Sequence, residues 1–298
     1  LTDAEAVALL RAERIDVAAD LMGHTGDSRT PILAQRIAPV QVAYLGYPGT
    51  TAVAAIDWVI ADAVVAPPGS EAFYSERIIR LPGCFQANDE ERRADPTPTR
   101  AEAGLPESGF VFGMFSNTYK ILPDLFAIWM RLLAATPGSV LWILASHPDA
   151  RENLRVAATG HGVDPDRIVF AGRVAYRAHL ARLALADLAL DTFPFNGGTT
   201  TSDALWAGVP MVTCTGEAFA SRMGASLLAA LGVPDLAVSN LEAYETTALR
   251  MAHDPAFRGS KCAVLREARR RSSLFDTEAF TRRLERAYET LANPAVEA

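Results

Sequence analysis

The sequence predicts an α/β protein of two domains, each built on a parallel sheet. Three observations carry that expectation. The 298 residues, half of them apolar, suffice for two cores of ordinary size. Short apolar runs bounded by turn residues alternate with helical stretches along most of the chain. Those runs are nearly continuous in apolar character, the pattern of strands buried on both faces. The expected boundaries are the C-terminal part of a first domain at 1–85, a linker at 86–108, a second domain at 109–275 and a terminal helix at 276–298.

The chain opens on "LTDAEAVALLRAERIDVAADLMG", one helix feeding one strand, without an initiating methionine. Residue 1 is therefore expected to lie inside a longer polypeptide that carries the start of the first domain. "IDVAADLMG" (15–23), "PVQVAYLGYPG" (39–49), "IDWVIADAVV" (56–65) and "RIIRLPG" (77–83) are β-rich and bounded by turn residues. The next segment is charged and proline-rich with no apolar period, which is why it reads as a linker. "FVFGMFSN", from 110, is a strand. "PDLFAIWMRLLAAT" is a helix, since Leu125, Ile128, Trp129, Leu132 and Leu133 make one stripe at the helical period. "SVLWILAS" (139–146), "RIVFAG" (167–172), "LADLALDTFP" (from 185) and "VPMVTCTG" (209–216) are further strands. After "PDLAVSN" (234–240) the chain turns helical, with Asp254-Pro255 and Asp276 as helix starts. The last helix carries Phe280, Leu284, Ala287, Tyr288 and Leu291 on one face.

A net charge of −7 and a pI near 5.3 argue against a nucleic-acid protein, so an anionic ligand needs a local site. Of the 28 basic residues only Lys120 and Lys261 are lysine. Cys84, Cys214 and Cys262 have no metal-ligand spacing and fit a reducing, cytoplasmic compartment. No apolar run approaches the roughly 18 residues of a membrane span, and no signal-peptide pattern is present. The phosphate-loop, dinucleotide-binding and serine-hydrolase motifs are missing. His24, His147, His161, His179 and His253 show no zinc spacing, and no carboxylate pair is placed for glycoside hydrolysis.

In open parallel α/β sheets, ligands sit beyond the carboxyl ends of the strands. Three such ends in the second domain carry unusual polar residues. One runs into Asn117-Thr118-Tyr119-Lys120, and a second into "RVAYRAHLAR", with His179 and Arg182 at helical spacing. The third runs into "NGGTTTSDALWAG" (196–208), where Gly208 is the expected helix stop. A helix start leaves unpaired N–H groups and partial positive charge that suit a phosphate. Gly197 and Gly198 admit an oxygen to the main chain, and Thr199, Thr200 and Thr201 offer hydroxyls beside the same amides. The helix dipole contributes only about 0.3–1 kcal/mol, so a diphosphate calls for a full cation. Lys120, expected two strands away, is the candidate. Taken singly, these glycines and threonines more often make a turn and a cap; the convergence of three loops favours an anion cradle.

Four segments resemble the catalytic region of O-linked N-acetylglucosamine transferases and their plant relatives of the SPINDLY type. They are "RIAPVQVAYLGYPGTT" (36–51), "FSNTYKI" (115–121), "LALDTFPFNGGTTTSDALWAGVPMVTCTGEAFASRMGASLLAALG" (188–232) and "SSLFDTEAFTRRLERAY" (272–288). The resemblance implies a GT-B glycosyltransferase of two Rossmann-like domains binding a nucleotide sugar, UDP-GlcNAc, in the cleft. It further implies transfer to Ser or Thr hydroxyls of proteins, with inversion, no metal and no cofactor. Helical tetratricopeptide repeats and the family's proposed catalytic Asp and His are expected before residue 1, as partners from the same polypeptide.

Matched residue by residue, the resemblance assigns Lys120 to the diphosphate, as the catalytic cation, with Asn117 where the enzyme usually has glutamine. Thr199 and Thr200 match β-phosphate contacts, and Asp203 matches a ribose-binding carboxylate. His179 matches a histidine stacked on uracil, Arg182 a nearby base contact, and the Val174 main chain a base hydrogen bond. Leu45, Gly46 and Pro48 match a first-domain loop over the sugar, and His24 a cleft position. This sequence departs from the pattern where Tyr176 replaces a lysine and Gly198 replaces a histidine. Alternative readings are a GDP-fucose-dependent transferase of SPINDLY type, a transferase with a small-molecule acceptor, and a nucleotide-sugar-binding module without activity.

Overall fold

A computed structural model describes residues 1–293, apart from the side chain of Arg270; residues 294–298 of the expected terminal helix lie outside the described residues. Residues 1–88, 218–220 and 276 onward form one compact unit, and 89–217 with 221–275 form another.

The first unit begins with α1 (Asp3–Ala12), held by a capping box in which Thr2 and Glu5 exchange side-chain and main-chain hydrogen bonds. β1 (Val17–Asp20), α2 (Thr30–Ala34), β2 (Val40–Ala43), β3 (Trp58–Asp62) and β4 (Arg77–Leu81) follow. The strands lie in sequence order, β1-β2-β3-β4, all parallel, with Val17 opposite Val40 and Trp58 opposite Arg77.

The segment expected as a linker has no helix or strand. It is not simply a solvated tether, because Arg92 and Leu105 are buried in the second unit.

That unit runs β5 (Val111–Met114), α3 (Pro123–Ala135), β6 (Val140–Leu144), α4 (Pro148–Gly160), β7 (Ile168–Ala171), α5 (Tyr176–Leu183), β8 (Leu188–Leu190), α6 (Thr199–Trp206), β9 (Met211–Cys214), α7 (Met223–Ala230), β10 (Ala237–Val238), α8 (Leu241–His253) and α9 (Pro255–Arg271). All six strands are parallel, in the order β10-β9-β8-β5-β6-β7. β5, β6, β8 and β9 are buried almost throughout, and the α3 stripe is buried as its spacing requires. The strand order reverses between β5 and β8, the switch point where open α/β sheets open a ligand crevice. The loop bearing Lys120 therefore neighbours the loop after β8 directly, and the expected separation of two strands is corrected. Separation along the chain is not separation across the sheet when the winding direction reverses.

α10 (Thr277–Ala292) returns to the first unit. Its face of Phe280, Ala287 and Leu291, flanked by Leu284 and Tyr288, packs on Val42, Tyr44, Ile60 and Leu81. Among the described residues no helix is long and apolar enough to cross a membrane.

Candidate functional site

Asp191 organises the loop after β8. Its side chain lies within a 2 % exposed residue, with Oδ1 accepting from the N–H groups of Thr192 (2.8 Å) and Gly197 (2.7 Å). Oδ2 accepts from the Thr213 hydroxyl at 2.6 Å. Burial pushes its carboxyl up to about 6, against these donors and the nearby Lys120 charge. The Thr192 hydroxyl donates to the Phe195 carbonyl, and Asn196 Nδ2 donates to the Thr192 carbonyl. The loop thus has one defined shape.

Gly197 is required there. A Cβ at that position would lie 2.4 Å from Thr200 Oγ1 and 2.7 Å from Thr201 Oγ1. Gly198 is the N-cap of α6, and no side chain caps that helix. The first-turn amides are consequently left for a ligand or water. Thr199 is exposed, and the half-buried Thr200 hydroxyl lies 3.2 Å from Ser116 Oγ, which comes from the end of β5. Thr201 corrects the expectation of three available hydroxyls: it is fully buried, and its hydroxyl donates back to the Gly197 carbonyl at 2.8 Å. Two residues along a helix turn a side chain by about 200°, so Thr199 and Thr201 cannot face the same ligand.

Lys120 closes the cradle from the neighbouring loop, at the end of a single 3₁₀ turn, Thr118–Lys120, that follows Asn117. Its ammonium donates to the Asn196 carbonyl at 3.0 Å and sits 3.7 Å from the centre of the Phe195 ring. Burial lowers its pKa, and the Asp191 carboxylate opposes that. One of three N–H donors is engaged by that carbonyl, and the others remain for anionic oxygens. Asn117 itself is exposed, its carbonyl accepting from the Lys120 N–H.

A flat neutral surface borders this region on α5. Arg182 donates from Nε and Nη2 to His179 Nδ1 at 3.2 and 3.0 Å, and from Nη1 to the Gly172 carbonyl at 2.7 Å. With Nδ1 accepting, the proton of the neutral ring resides on Nε2. Burial, reinforced by the Arg182 charge, pushes His179 down to about 4. His179 packs edge-on against Phe115, their centroids 5.5 Å apart. In the unfolded chain the ring takes its proton near 6.5, whereas in the fold it resists until about 4. Its contribution to stability is therefore present above pH 6.5 and lost as pH falls towards 4, up to about 3 kcal/mol. Thermal melts across that range should show the loss, and His179→Asn should remove it.

Val174 and Tyr176 are exposed on the approach to α5, and the Tyr176 hydroxyl donates to Asp203 Oδ1 at 2.8 Å. Asp203 Oδ1 also accepts from Arg92 Nη1 at 2.9 Å. Burial pushes Asp203 upward, and Tyr176 and Arg92 pull it back.

The first unit brings the other four expected residues together at the carboxyl ends of β1 and β2. His24 Nε2 donates to the Thr51 carbonyl at 2.6 Å and meets the Tyr47 ring edge-on at 5.1 Å. Leu45 has φ +68°, and Gly46 passes so close to β1's exit that a Cβ would lie 1.8 Å from the Leu21 carbonyl oxygen. Pro48 lies between them and Thr50-Thr51, whose hydroxyls both donate to Glu76, as does the Thr51 N–H at 2.6 Å.

Sequence reasoning missed Arg92, Ser116, Asp191 and Glu76. An aspartate ending the apolar run "LADLAL" was a usable signal for Asp191. Nothing local marks Arg92, whose partners Asp203 and Ser202 are over a hundred positions away.

The sequence profile of Glycosyl transferase family 41 matches residues 2–95 and 86–284. The chain is 36% identical over 292 residues to the Arabidopsis thaliana probable UDP-N-acetylglucosamine–peptide N-acetylglucosaminyltransferase SEC, covering 96% of this chain and 30% of that protein. It is 38% identical over 187 residues to the Caenorhabditis elegans UDP-N-acetylglucosamine–peptide N-acetylglucosaminyltransferase, covering 63% of this chain and 16% of that one. Among solved structures, a mutant O-GlcNAc transferase of Thermobaculum terrenum superposes with a TM-score of 0.89 at 33% identity, over 99% of this chain and 56% of that chain. Anabaena HepE, solved with UDP and glucose, superposes with a TM-score of 0.67 at 18% identity, over 95% of this chain and 81% of that chain, a likeness of fold alone. The chain thus spans under a third of the length of its plant and nematode relatives. Two parallel-sheet α/β units of the GT-B type, matched by one family profile over residues 2–284, place this chain in glycosyl transferase family 41.

Proposed function

We propose that this chain binds UDP-GlcNAc and, within the whole cytoplasmic polypeptide, transfers N-acetylglucosamine to Ser or Thr hydroxyls of acceptor proteins with inversion. The observation that carries the reading is the uncapped start of α6, with the Lys120 ammonium held on the adjacent Asn196 carbonyl. The donor class is supported by the names of the relatives, which specify UDP-N-acetylglucosamine even for the SPINDLY proteins and so favour it over the guanosine alternative.

In this reading a protein hydroxyl attacks the anomeric carbon and UDP leaves from the opposite face. Negative charge grows on the β-phosphate as the bond breaks. Lys120, the α6 amides and the Thr199 and Thr200 hydroxyls stabilise that charge more in the transition state than in the ground state. They do so without a metal or cofactor. The neutral His179 ring stacks on the base, with Arg182 and the Val174 main chain beside it, Asn117 stands with Lys120 at the diphosphate, and Asp203 takes the ribose. His24, Leu45, Gly46 and Pro48 belong to the sugar side. The acceptor's proton goes to a base upstream of residue 1, where repeats recruit the acceptor. The deciding experiment is a titration of the full natural polypeptide with UDP and GDP. Binding of UDP with at least tenfold preference supports the reading, and preference for GDP replaces the donor with a guanosine sugar.

A further inference from the structure

Arg92 and Asp203 form an ion pair in which each side chain is only 5% exposed. The same guanidinium donates from Nη2 to Ser202 Oγ at 2.9 Å and lies against the packed Trp206–Phe275 ring pair, 5.7 and 5.6 Å from their centres. A buried ion pair is a poor device for stability, because desolvating two charges offsets most of their attraction, and apolar replacements often do as well. What a planar guanidinium held at several points does well is to fix the orientation of a carboxylate.

The direction of that orientation can be read from the donors. Arg92 and Tyr176 both donate to Oδ1, occupying its two lone pairs, and no described residue donates to Oδ2. A carboxylate only accepts, so the group that meets Oδ2 carries O–H or N–H. That is the opposite chemistry to the start of the same helix, where amides and Lys120 offer donors to anionic oxygens. Asp203 stands four residues, about 6 Å of helical rise, beyond Thr199. That spacing suits a nucleoside diphosphate whose phosphates sit at the helix start and whose ribose diol sits one turn on. The Tyr176 phenol is held up to about 12 by burial and by Asp203, so it stays a donor at every physiological pH.

We propose that Arg92 and Tyr176 are positioning residues for the donor: by saturating Oδ1 they turn Oδ2 of Asp203 toward the ribose hydroxyls. The assignment rests on the donor-site reading above and adds a determinant drawn from a segment with no secondary structure. The test is calorimetric titration of the full natural polypeptide with UDP and with its dideoxyribose analogue, which lacks both hydroxyls. Arg92→Lys and Tyr176→Phe should each weaken UDP about tenfold and leave the analogue within about twofold, the loss of one charge-linked hydrogen bond. In an Asp203→Asn background the Tyr176→Phe loss should nearly vanish, since the two act on one contact. Equal losses for both nucleotides, or losses that simply add, overturn the positioning role while leaving the donor site standing. Absence of UDP binding by the unsubstituted protein removes the donor site and this assignment together. Tyr176 is 48% exposed, so its variant decides the matter should Arg92→Lys fail to fold.

Discussion

Lys120→Ala in the full natural polypeptide is expected to lower turnover roughly 100- to 1,000-fold while the protein stays folded. The magnitude is that of losing one preorganised donor to developing charge. The effect is expected at this residue for a structural reason. The ammonium is carried by a short loop at the switch point and pinned by the Asn196 carbonyl and the Phe195 ring, so little reorganisation is needed when charge appears on a leaving group. The α6 dipole contributes a fraction of an elementary charge, whereas Lys120 contributes a whole one. Peptide glycosylation from labelled UDP-GlcNAc measures the loss, and the melting temperature checks the fold. Turnover within threefold of the unsubstituted enzyme would refute the assignment of Lys120 as the catalytic cation.

Gly46→Ala is expected to be the most damaging single methyl group in the first unit. The added Cβ would lie 1.8 Å from the Leu21 carbonyl oxygen and 2.7 Å from its carbon, both main-chain atoms that no rotamer change can withdraw. Either the 44–49 loop lifts away from β1's exit or the exit shifts. Overpacking of this kind costs about 1–3 kcal/mol, sometimes more, and here the moved backbone carries Leu45 and Pro48. Chemical denaturation should show the lost stability, and activity should fall further than stability alone accounts for. The neighbouring residue provides a control. Leu45 holds φ +68° and is 41% exposed, so Leu45→Gly relieves a left-handed conformation worth about 1–2 kcal/mol. The backbone contribution at 45 therefore favours glycine, while at 46 only glycine fits.

The candidate site was legible where its signals are local. "NGGTTT" announces a helix start because glycine, threonine and strand end are contiguous, and Gly208 stops the helix with φ +80° as expected, whereas the lack of a side-chain cap emerged only in the fold. Thr201 shows the limit of reading by residue type alone. Its hydroxyl is suited to an anion, but helical geometry turns it inward to Gly197. Arg92 shows a different limit. A charged, proline-rich stretch ordinarily remains in water, and here two aromatic rings, an aspartate and a serine brought in from distant positions surround this guanidinium. His179 was legible as a ring near the sheet edge. Its neutrality was not, since it comes from burial and from an arginine one helical turn along.

By itself the sequence determined the alternation of buried strands and helices, the stripes of α3 and α10, and the residues at each strand's carboxyl end. Those are consequences of hydrophobic period and chain punctuation, which act over a few residues. Only the tertiary structure decided that β8 lies against β5, which makes neighbours of Lys120 and Asn196. It also decided that α10 covers the first sheet, and that Arg92 rather than α5 supplies the cation at Asp203. Each of these joins segments tens to hundreds of residues apart, and such pairings are settled by which faces pack together, a property no local pattern contains.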